Sequence, residues 1–193
     1  MAVSAPGSKA LFSNKNTEIK DLITAFCAAH PARLEELAAI DRLWRSDADM
    51  TARSTFPAHV TASAVLLQDG KVLMVEHLTL GKLLFPGGHI DAGEMPHAAA
   101  ARELLEETGL AAQLQDMSPI DFDVHEIPEN RKKNEPAHMH IDLRYLFVSP
   151  SGDLLANPGE ISAVSWVSLD ALPLAMRRGL DCLGQSTGMS VHE

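Results

Sequence analysis

Apolar side chains recur at helical spacing in the first quarter of the chain. From Ile19 to Phe26 they follow one another at intervals of three and four residues, the period of one helix face. Pro31 interrupts this run and suits the first turn of a second helix, where its missing N–H costs little. We therefore expect a helical hairpin over residues 17–46, preceded by a disordered stretch over residues 1–15 and followed by a polar linker that ends at Pro57.

The pattern changes at His59, where β-branched and aliphatic residues replace the helical stripe. Asp69 and Gly70 predict a tight hairpin turn, because both tolerate the positive φ that such turns need. Pro96 is placed to begin a helix and Gly109 to end it. The predicted strands are His59–Leu67, Val72–Glu76, Leu83–Phe85, Ile120–His125, His138–Val148 and Ala163–Val167, and the predicted helices are Pro96–Glu107, a short one near Leu169, and Pro173–Leu183.

This mixture of helices and strands predicts an α+β fold, arranged as an α-β-α sandwich around a mixed sheet. We expect the chain to divide into an N-terminal extension over residues 1–57 and one domain over residues 58–193. The amphipathic hairpin of the extension is expected to pack on its own domain; a regulatory role or a homodimer interface is the alternative.

Composition narrows the classes of function. The 193 residues include 16 Lys and Arg against 26 Asp and Glu, a formal net charge of −10, and an acidic surface disfavours long nucleic acid as a partner. A small phosphorylated substrate remains compatible if a metal ion screens its charge. The two cysteines, Cys27 and Cys182, have no metal-type spacing and favour a reducing compartment. No signal peptide or membrane-spanning run is recognisable, so we expect a cytoplasmic protein without membrane partners.

The segment from Gly88 to Leu110 carries the clearest candidate chemistry. On the predicted helix Glu103, Glu106 and Glu107 share one face, while Ala101, Leu104 and Leu105 are expected on the opposite, core-facing side. Three like charges on one face repel each other, and a divalent cation would reverse that repulsion. Carboxylate oxygens are the ligands that Mg²⁺ prefers, together with water and substrate phosphates. A solvated acidic helix end is the alternative interpretation of the three glutamates alone.

Residues around the helix complete the pattern. Gly87 and Gly88 allow the backbone to turn sharply and to approach a ligand closely. The loop that follows delivers Glu94 beside the helical carboxylates. Arg102 can pair with a neighbouring glutamate and hold it in position.

The full segment resembles the signature of Nudix hydrolases, Gly-x5-Glu-x7-Arg-Glu-U-x-Glu-Glu-x-Gly-U with U aliphatic, and matches it at every fixed position. The resemblance implies a Nudix-type fold and Mg²⁺- or Mn²⁺-dependent hydrolysis of a diphosphate linkage in a nucleoside diphosphate derivative. It implies metal binding by Glu103, Glu106 and Glu107 with the Gly88 carbonyl, and a catalytic group that also includes Arg102. Glu103 is our first choice for the base that takes the proton from water, and Glu160 is a weaker candidate.

Further candidates for substrate binding lie after the signature. His138, His140 and Asp142 alternate, so in a strand they point to one face, and Arg144 follows. The two histidines could bind a transition metal, donate hydrogen bonds to a substrate phosphate, or form a polar sheet face at a cleft. Lys132 belongs to a basic run that could steer an anionic substrate, although a solvated loop explains the run equally well. His89 is a plausible additional contact inside the glycine loop.

Two alternative functions remain. Isopentenyl-diphosphate isomerase resembles this family in fold and also places histidines around a metal, but the intact Arg102-Glu103-x-x-Glu106-Glu107 pattern is the hydrolase form. A nucleotide-binding regulatory module would be expected to have lost one or more of the glutamates, and none is missing here.

Overall fold

The computed structural model describes residues 6–40, 48–78, 81–131, 134–157, 159, 161–174, 176–177 and 180. Three α-helices have defined bounds: α1 Pro6–Ala29, α2 Leu34–Ile40 and α3 Pro96–Thr108. Short 3₁₀ helices occupy Pro31–Arg33 and Leu169–Ala171. Residues 174, 176, 177 and 180 are also helical, within the range where a C-terminal helix is predicted.

The N-terminal hairpin is present but begins earlier than the sequence indicates. Helix α1 starts at Pro6, so the prediction of disorder is wrong for residues 6–15, while residues 1–5 lie outside the described part of the chain. Pro31 stands at the first turn of the 3₁₀ helix that leads into α2, as its fixed φ predicts. The end of the predicted hairpin, residues 41–47, also lies outside the described residues.

Within the described residues, eight strands form one mixed sheet. Asp69 and Gly70 have φ of 49° and 71° at the predicted hairpin turn. Two short strands, Gly87–His89 and Ala111–Leu114, were not predicted, because neither Gly-Gly-His nor Ala-Ala-Gln-Leu carries a β-branched residue or a strong alternation. The strands are β1 Ala58–Gln68, β2 Lys71–His77, β3 Lys82–Leu84, β4 Gly87–His89, β5 Ala111–Leu114, β6 Asp121–Ile127, β7 His138–Ser151 and β8 Ile161–Ser168.

The long strands β1 and β7 pair in parallel along nine residues and form the centre of the sheet. On the far side of β7, β6 pairs with its first half and β5 with its second half, both antiparallel. On the far side of β1, β4 pairs at residues 61–63 and β2 at residues 67–68. Strand β2 in turn carries β3 and β8. Strand β4 is therefore a short edge strand beside the middle of β1.

The two faces of the central strands differ in composition. Val60, Ala62 and Ala64 of β1 face the main hydrophobic core, which α1 and α3 cover. A smaller apolar cluster on the other side contains Val65 and Phe85 with Leu172 and Leu180. Helices thus contribute to both sides of the sheet, and the predicted α+β sandwich is confirmed. The rest of that second face is polar, and we call it the histidine face. Its members are His59, Thr61, Ser63, His89, Asp121, Asp123, His125, His138, His140, Asp142 and Arg144.

The N-terminal hairpin packs on its own domain. Ile19, Ile23 and Phe26 of α1 are buried in the main core. Arg33 ties the turn of the hairpin to strand β6: its Nη1 lies 2.5 Å from Asp121 Oδ1, and its Nη2 donates to the carbonyl of Phe122. The Arg33 guanidinium also lies over the Phe122 ring, 4.6 Å from its centroid. These contacts make the hairpin continuous with the core rather than a separate body.

In the part of the chain that the structure describes, no helix combines the length and the apolar character that crossing a membrane requires.

Candidate active site

Helix α3 has the ends that its sequence predicts. Pro96 occupies its first turn, and Met95 at the N-cap makes no side-chain capping bond, as expected for a residue without a hydrogen-bonding oxygen. Gly109 adopts φ of 72° at the C-cap, and its N–H donates to the carbonyl of Leu105. Only a residue that tolerates this left-handed conformation ends a helix in this way at no steric cost. The two ends define a helix that carries Glu103, Glu106 and Glu107 in its C-terminal half.

The three helical glutamates differ strongly in exposure. Glu107 is buried with 6% exposure, whereas the side chains of Glu103 and Glu106 are 15% and 54% exposed. Leu105 is 50% exposed, so the expectation that it faces the core is wrong. Ala100, Leu104 and Glu107 follow at spacings of four and three, which places Glu107 on the buried stripe of the helix. Glu107 is therefore part of the packed interior, not a surface carboxylate.

Strand β4 brings backbone atoms against these carboxylates. The N–H of Gly87 donates to Glu107 Oε2 at 3.1 Å, which supplies the buried carboxylate with a partner. A Cβ added to Gly88 would lie 2.6 Å from Glu103 Oε1, closer than van der Waals contact. A side chain at position 88 would therefore displace the Glu103 carboxylate from its present place against β4. The approach leaves the Gly87–Gly88 backbone beside two carboxylates, and carboxylate oxygens suit a hard divalent cation.

Arg102 organises the acidic cluster. Its Nη1 lies 2.9 Å from Glu103 Oε1 and 3.1 Å from Glu106 Oε2, and its Nη2 lies 3.1 Å from Glu94 Oε2. Nη2 also donates to the carbonyl of His89 at 2.9 Å. Burial raises the pKa of Glu94, but the hydrogen bonds from Arg102 and the Asp91 N–H outweigh it and hold that pKa below its usual range. One guanidinium therefore joins the loop, strand β4 and the helix.

Lys15 of α1 reaches the same loop, a contact that the sequence did not reveal. Its ammonium lies 2.5 Å from Thr51 Oγ1 and 3.4 Å from the Glu94 carbonyl oxygen, and Asp49 lies at 3.7 Å. The residue is only 8% exposed. A buried ammonium with three oxygen neighbours fixes the loop to the N-terminal extension.

Four strands bring histidines together on the histidine face. His59 of β1 pairs with His140 of β7, and His140 pairs on its other side with His125 of β6. His89 of β4 stands opposite Thr61 of β1, one residue from the Gly88 that faces α3. Because side chains alternate along a strand, β4 presents Gly88 to the glutamates and His89 to the opposite face.

The clustered imidazoles favour their neutral forms. Burial lowers the pKa of His59. Burial, together with the charge that Arg53 and the other histidines would contribute, lowers the pKa of His89 to about 4. Burial and the four neighbouring histidines lower the pKa of His140 to about 2. At neutral pH these rings therefore present uncharged nitrogens.

Comparison with known proteins gives an independent indication of the family. A family model described as the NUDIX domain matches residues 57–182, about two thirds of the chain.

The chain belongs to the Nudix family.

Among its relatives, a protein named probable DHNTP pyrophosphohydrolase from Lactococcus lactis is 34% identical over 131 residues, 67% of this chain and 75% of that protein. A protein named phosphatase NudJ from Escherichia coli K12 is 50% identical over 62 residues, 31% of this chain and 40% of its own length. A Nudix-family hydrolase from Clostridium perfringens has a crystal structure that is 28% identical, with a TM-score of 0.52 over 65% of this chain and 97% of that one. The predictions of a Nudix fold and a pyrophosphohydrolase of this family are confirmed.

Not every predicted site residue is accessible in this Nudix domain. Arg144 lies on the same face as His140 but is 8% exposed. Its Nη1 is 2.9 Å from Asp121 Oδ2, and its guanidinium lies over the Phe85 ring, 5.2 Å from the centroid. The neighbouring Asp142 is buried and accepts hydrogen bonds from Thr61 and Ser63; burial raises its pKa. These contacts stabilise the sheet and do not support a direct contact of Arg144 with substrate.

Two of the predicted residues lie outside the described part of the chain: Lys132, in the basic run, and Glu160, the second candidate for the base. Conversely, sequence reasoning did not single out His59. The available signal was its alternation with Thr61 and Ser63 along β1, and its partners come from β4 and β7, which are distant in sequence.

Proposed function

We propose that this Nudix protein hydrolyses a diphosphate linkage in a nucleoside diphosphate derivative, in a reaction that depends on Mg²⁺ or Mn²⁺. The observation that carries the proposal is the packing of β4 against α3. It places the Gly87–Gly88 backbone in contact with Glu107 and Glu103, while Arg102 aligns Glu103, Glu106 and Glu94.

The residues fit a hard divalent cation. We propose that Glu103, Glu106 and Glu107 hold it, with the Gly88 carbonyl. The ion would neutralise charge on the diphosphate and lower the pKa of the attacking water. Glu106 is the most exposed of the three carboxylates and faces solvent, from which substrate enters. Arg102 contacts both Glu103 and Glu106, so one guanidinium offsets part of the negative charge that the cation would otherwise meet.

The chain's own groups supply the remaining chemistry. We propose that a carboxylate oxygen of Glu103 takes the proton of the attacking water, because that side chain is partly shielded and lies against the Gly88 backbone. Arg102 keeps Glu103 in position through its 2.9 Å contact and holds the loop through Glu94. Lys15 supports that loop from the other side. His138 and His140 remain proposed substrate contacts, on the face that adjoins β4.

A substrate screen tests the proposal. The purified chain would be incubated with nucleoside diphosphate derivatives in Mg²⁺ or Mn²⁺, and released nucleotide and phosphate would be measured. DHNTP belongs in the screen because the Lactococcus lactis relative is named for it. We expect release from at least one compound and none in the metal-free control. Failure of a folded, metal-supplied protein to cleave any of them would contradict the proposal.

The same screen addresses the alternative functions. Isopentenyl diphosphate would be included, with its isomer and free phosphate followed separately. Formation of the isomer without phosphate release would favour the isomerase alternative, and tight nucleotide binding without turnover would favour a regulatory module. A cytoplasmic location and a homodimer also remain predictions, which fractionation and light scattering would test.

A further inference from the structure

The histidine face brings together the rings of His59, His89 and His140, of which the proposed hydrolysis uses only His140, as a substrate contact. The ring centroids of His59 and His140 are 4.7 Å apart, those of His59 and His89 are 5.2 Å apart, and those of His89 and His140 are 5.3 Å apart. One nitrogen of each ring lies within 4.8 Å of the corresponding nitrogens of the other two. The three rings come from β1, β4 and β7, so the tertiary structure alone assembles them.

Hydrogen bonding leaves one ring nitrogen of His59 without a partner. His59 Nδ1 lies 3.3 Å from the carbonyl oxygen of Thr55, which can only accept, so Nδ1 carries the proton and Nε2 presents a lone pair. Nε2 is buried, and no donor or acceptor among the described residues reaches it; the residue as a whole is 1% exposed. Burying a polar atom without a partner destabilises the folded state. A ligand bound by the lone pair of His59 Nε2 would remove this cost.

His138 extends the cluster as a supporting ring. It stacks on His59 with centroids 5.0 Å apart, and its Nδ1 donates to the carbonyl of Pro136 at 2.7 Å. Its Nε2 lies 3.3 Å from His140 Nε2. Protein metal sites commonly show this arrangement, in which each ligating imidazole donates its other N–H to a backbone carbonyl. Among the proposed ligands His59 satisfies it through the Thr55 carbonyl.

We propose that His59, His89 and His140 bind a transition-metal ion of the zinc class, at a site separate from the carboxylates of α3. Three neutral imidazoles match the nitrogen preference of such ions and leave a fourth position open, whereas Mg²⁺ prefers oxygen ligands. Nitrogens bound to a tetrahedral zinc ion lie about 3.4 Å apart, so side-chain shifts of about 1 Å would close the site.

The bound ion would have a structural consequence. Strand β4 has three residues and pairs only with β1 among the described strands, and it carries Gly88 against Glu103. A metal joining His89 to His59 and His140 would fasten this edge strand to both central strands. We therefore expect zinc to raise the thermal unfolding temperature of the chain, because an ion that binds only the folded state stabilises it.

Metal binding is measured directly, without an activity assay. The untagged full-length chain is stripped with a chelator and titrated with Co²⁺, whose visible absorption identifies a tetrahedral nitrogen site, and zinc is then added as a competitor. We expect one Co²⁺ per chain in this site and its displacement by zinc. The variants His89→Gln and His140→Gln should each lower the affinity by at least about 10- to 100-fold, the loss caused by altering even groups that support a metal ligand.

Matched variants distinguish this site from cobalt binding elsewhere on the chain. His77→Gln removes a partly buried histidine of β2 that lies outside the three-histidine cluster and should leave the cobalt spectrum and affinity unchanged. Glu107→Gln should also leave them unchanged, because its carboxylate belongs to the other face. Far-ultraviolet circular dichroism and thermal unfolding of each metal-free variant establish that it is folded. Absence of the tetrahedral cobalt spectrum in the wild type, or its persistence at wild-type affinity in both folded histidine variants, would overturn the proposal. So would its loss in Glu107→Gln alone.

Discussion

Two polar clusters meet adjacent residues of strand β4: the glutamates of α3 lie against Gly88, and the histidine cluster includes His89. The first cluster is acidic and the second is uncharged. On the α3 face, Glu103 and Glu106 are joined by Arg102 and reach solvent. On the other face, His89 meets rings from β1 and β7 that are uncharged and partly or fully buried. The carboxylates carry several formal negative charges, whereas these three rings carry no charge at neutral pH.

If both proposed sites exist, one short strand lies between two kinds of ligand. Oxygen ligands with net negative charge favour a hard cation that also accepts phosphate oxygens, whereas neutral nitrogens favour a transition metal. Alternation along β4 separates the two sets, since Gly88 and His89 point to opposite faces. Removing groups from one face should therefore leave the other largely intact.

Chelation should have the largest effect on the carboxylate face. With excess EDTA we expect turnover of any substrate found in the screen to fall to background, because the diphosphate charge is no longer neutralised. Adding Mg²⁺ or Mn²⁺ back should restore the rate, while zinc alone should not. Full activity in EDTA would refute the mechanism.

Glu103→Gln and Glu107→Gln should each lower kcat by at least about 100-fold, the effect of removing one charge-stabilising group from an active site. Glutamine keeps an oxygen that can accept the Gly87 N–H, so the buried Glu107 variant should still fold. Steady-state kinetics and thermal unfolding measure the two effects. Glu35→Gln, an exposed glutamate of α2, is the control and should retain wild-type kcat. Wild-type turnover in either active-site variant would remove that residue from the metal site.

Arg102→Gln should have an intermediate effect, because the metal ligands remain but lose their alignment. We expect kcat to fall by about 10-fold, as when a supporting contact of a metal ligand is removed. The Mg²⁺ concentration that gives half of the maximal rate should rise. Arg102 also holds the pKa of Glu94 low, which stabilises the folded state above the usual carboxyl pKa and is lost as pH falls. The stability difference between wild type and variant should therefore shrink below about pH 4; a constant difference would argue against this pairing.

The smallest effect concerns the pH dependence of stability set by the histidine face. The lowered pKa values of His89 and His140 mean that the unfolded chain binds protons that the folded chain excludes, between about pH 4 and 6.5. In metal-free protein the free energy of unfolding should fall as pH decreases through this range. His89→Gln should flatten that slope, which urea unfolding at several pH values measures. An unchanged slope would show that His89 is not desolvated.

Much of the fold could be predicted from local signals. The turn at Asp69 and Gly70, the start of α3 at Pro96 and its end at Gly109 follow from residues whose backbone preferences are strong. The signature from Gly88 to Leu110 also predicted the family, because its spacing is dense enough to be specific. The predicted start of the first helix, at residue 17, was wrong, because α1 begins at Pro6. Tertiary contacts of Ile19 and Phe26 stabilise a helix that extends beyond its apolar stripe.

Other features depended on contacts that no local signal encodes. Strand β4 lacks β-branched residues and forms because β1 offers it a partner. The exposure of Leu105 and the burial of Glu107 follow from how α3 turns toward that strand. Arg144 was predicted to contact substrate, but Asp121 and Phe85 enclose it. The division of the chain at residue 57 remains a prediction, although the hairpin before it packs into the main core.

By itself, the sequence determined the carboxylate cluster, because helix periodicity places Glu103, Glu106 and Glu107 within two turns of one another. It could not determine what lies across β4. His59, His89 and His140 are separated by 30 and 51 residues, and only the parallel pairing of β1 with β7 and the antiparallel pairing of β4 with β1 bring their rings together. Local spacing fixes a site on one helix, whereas a site shared by three strands exists only once their register is set.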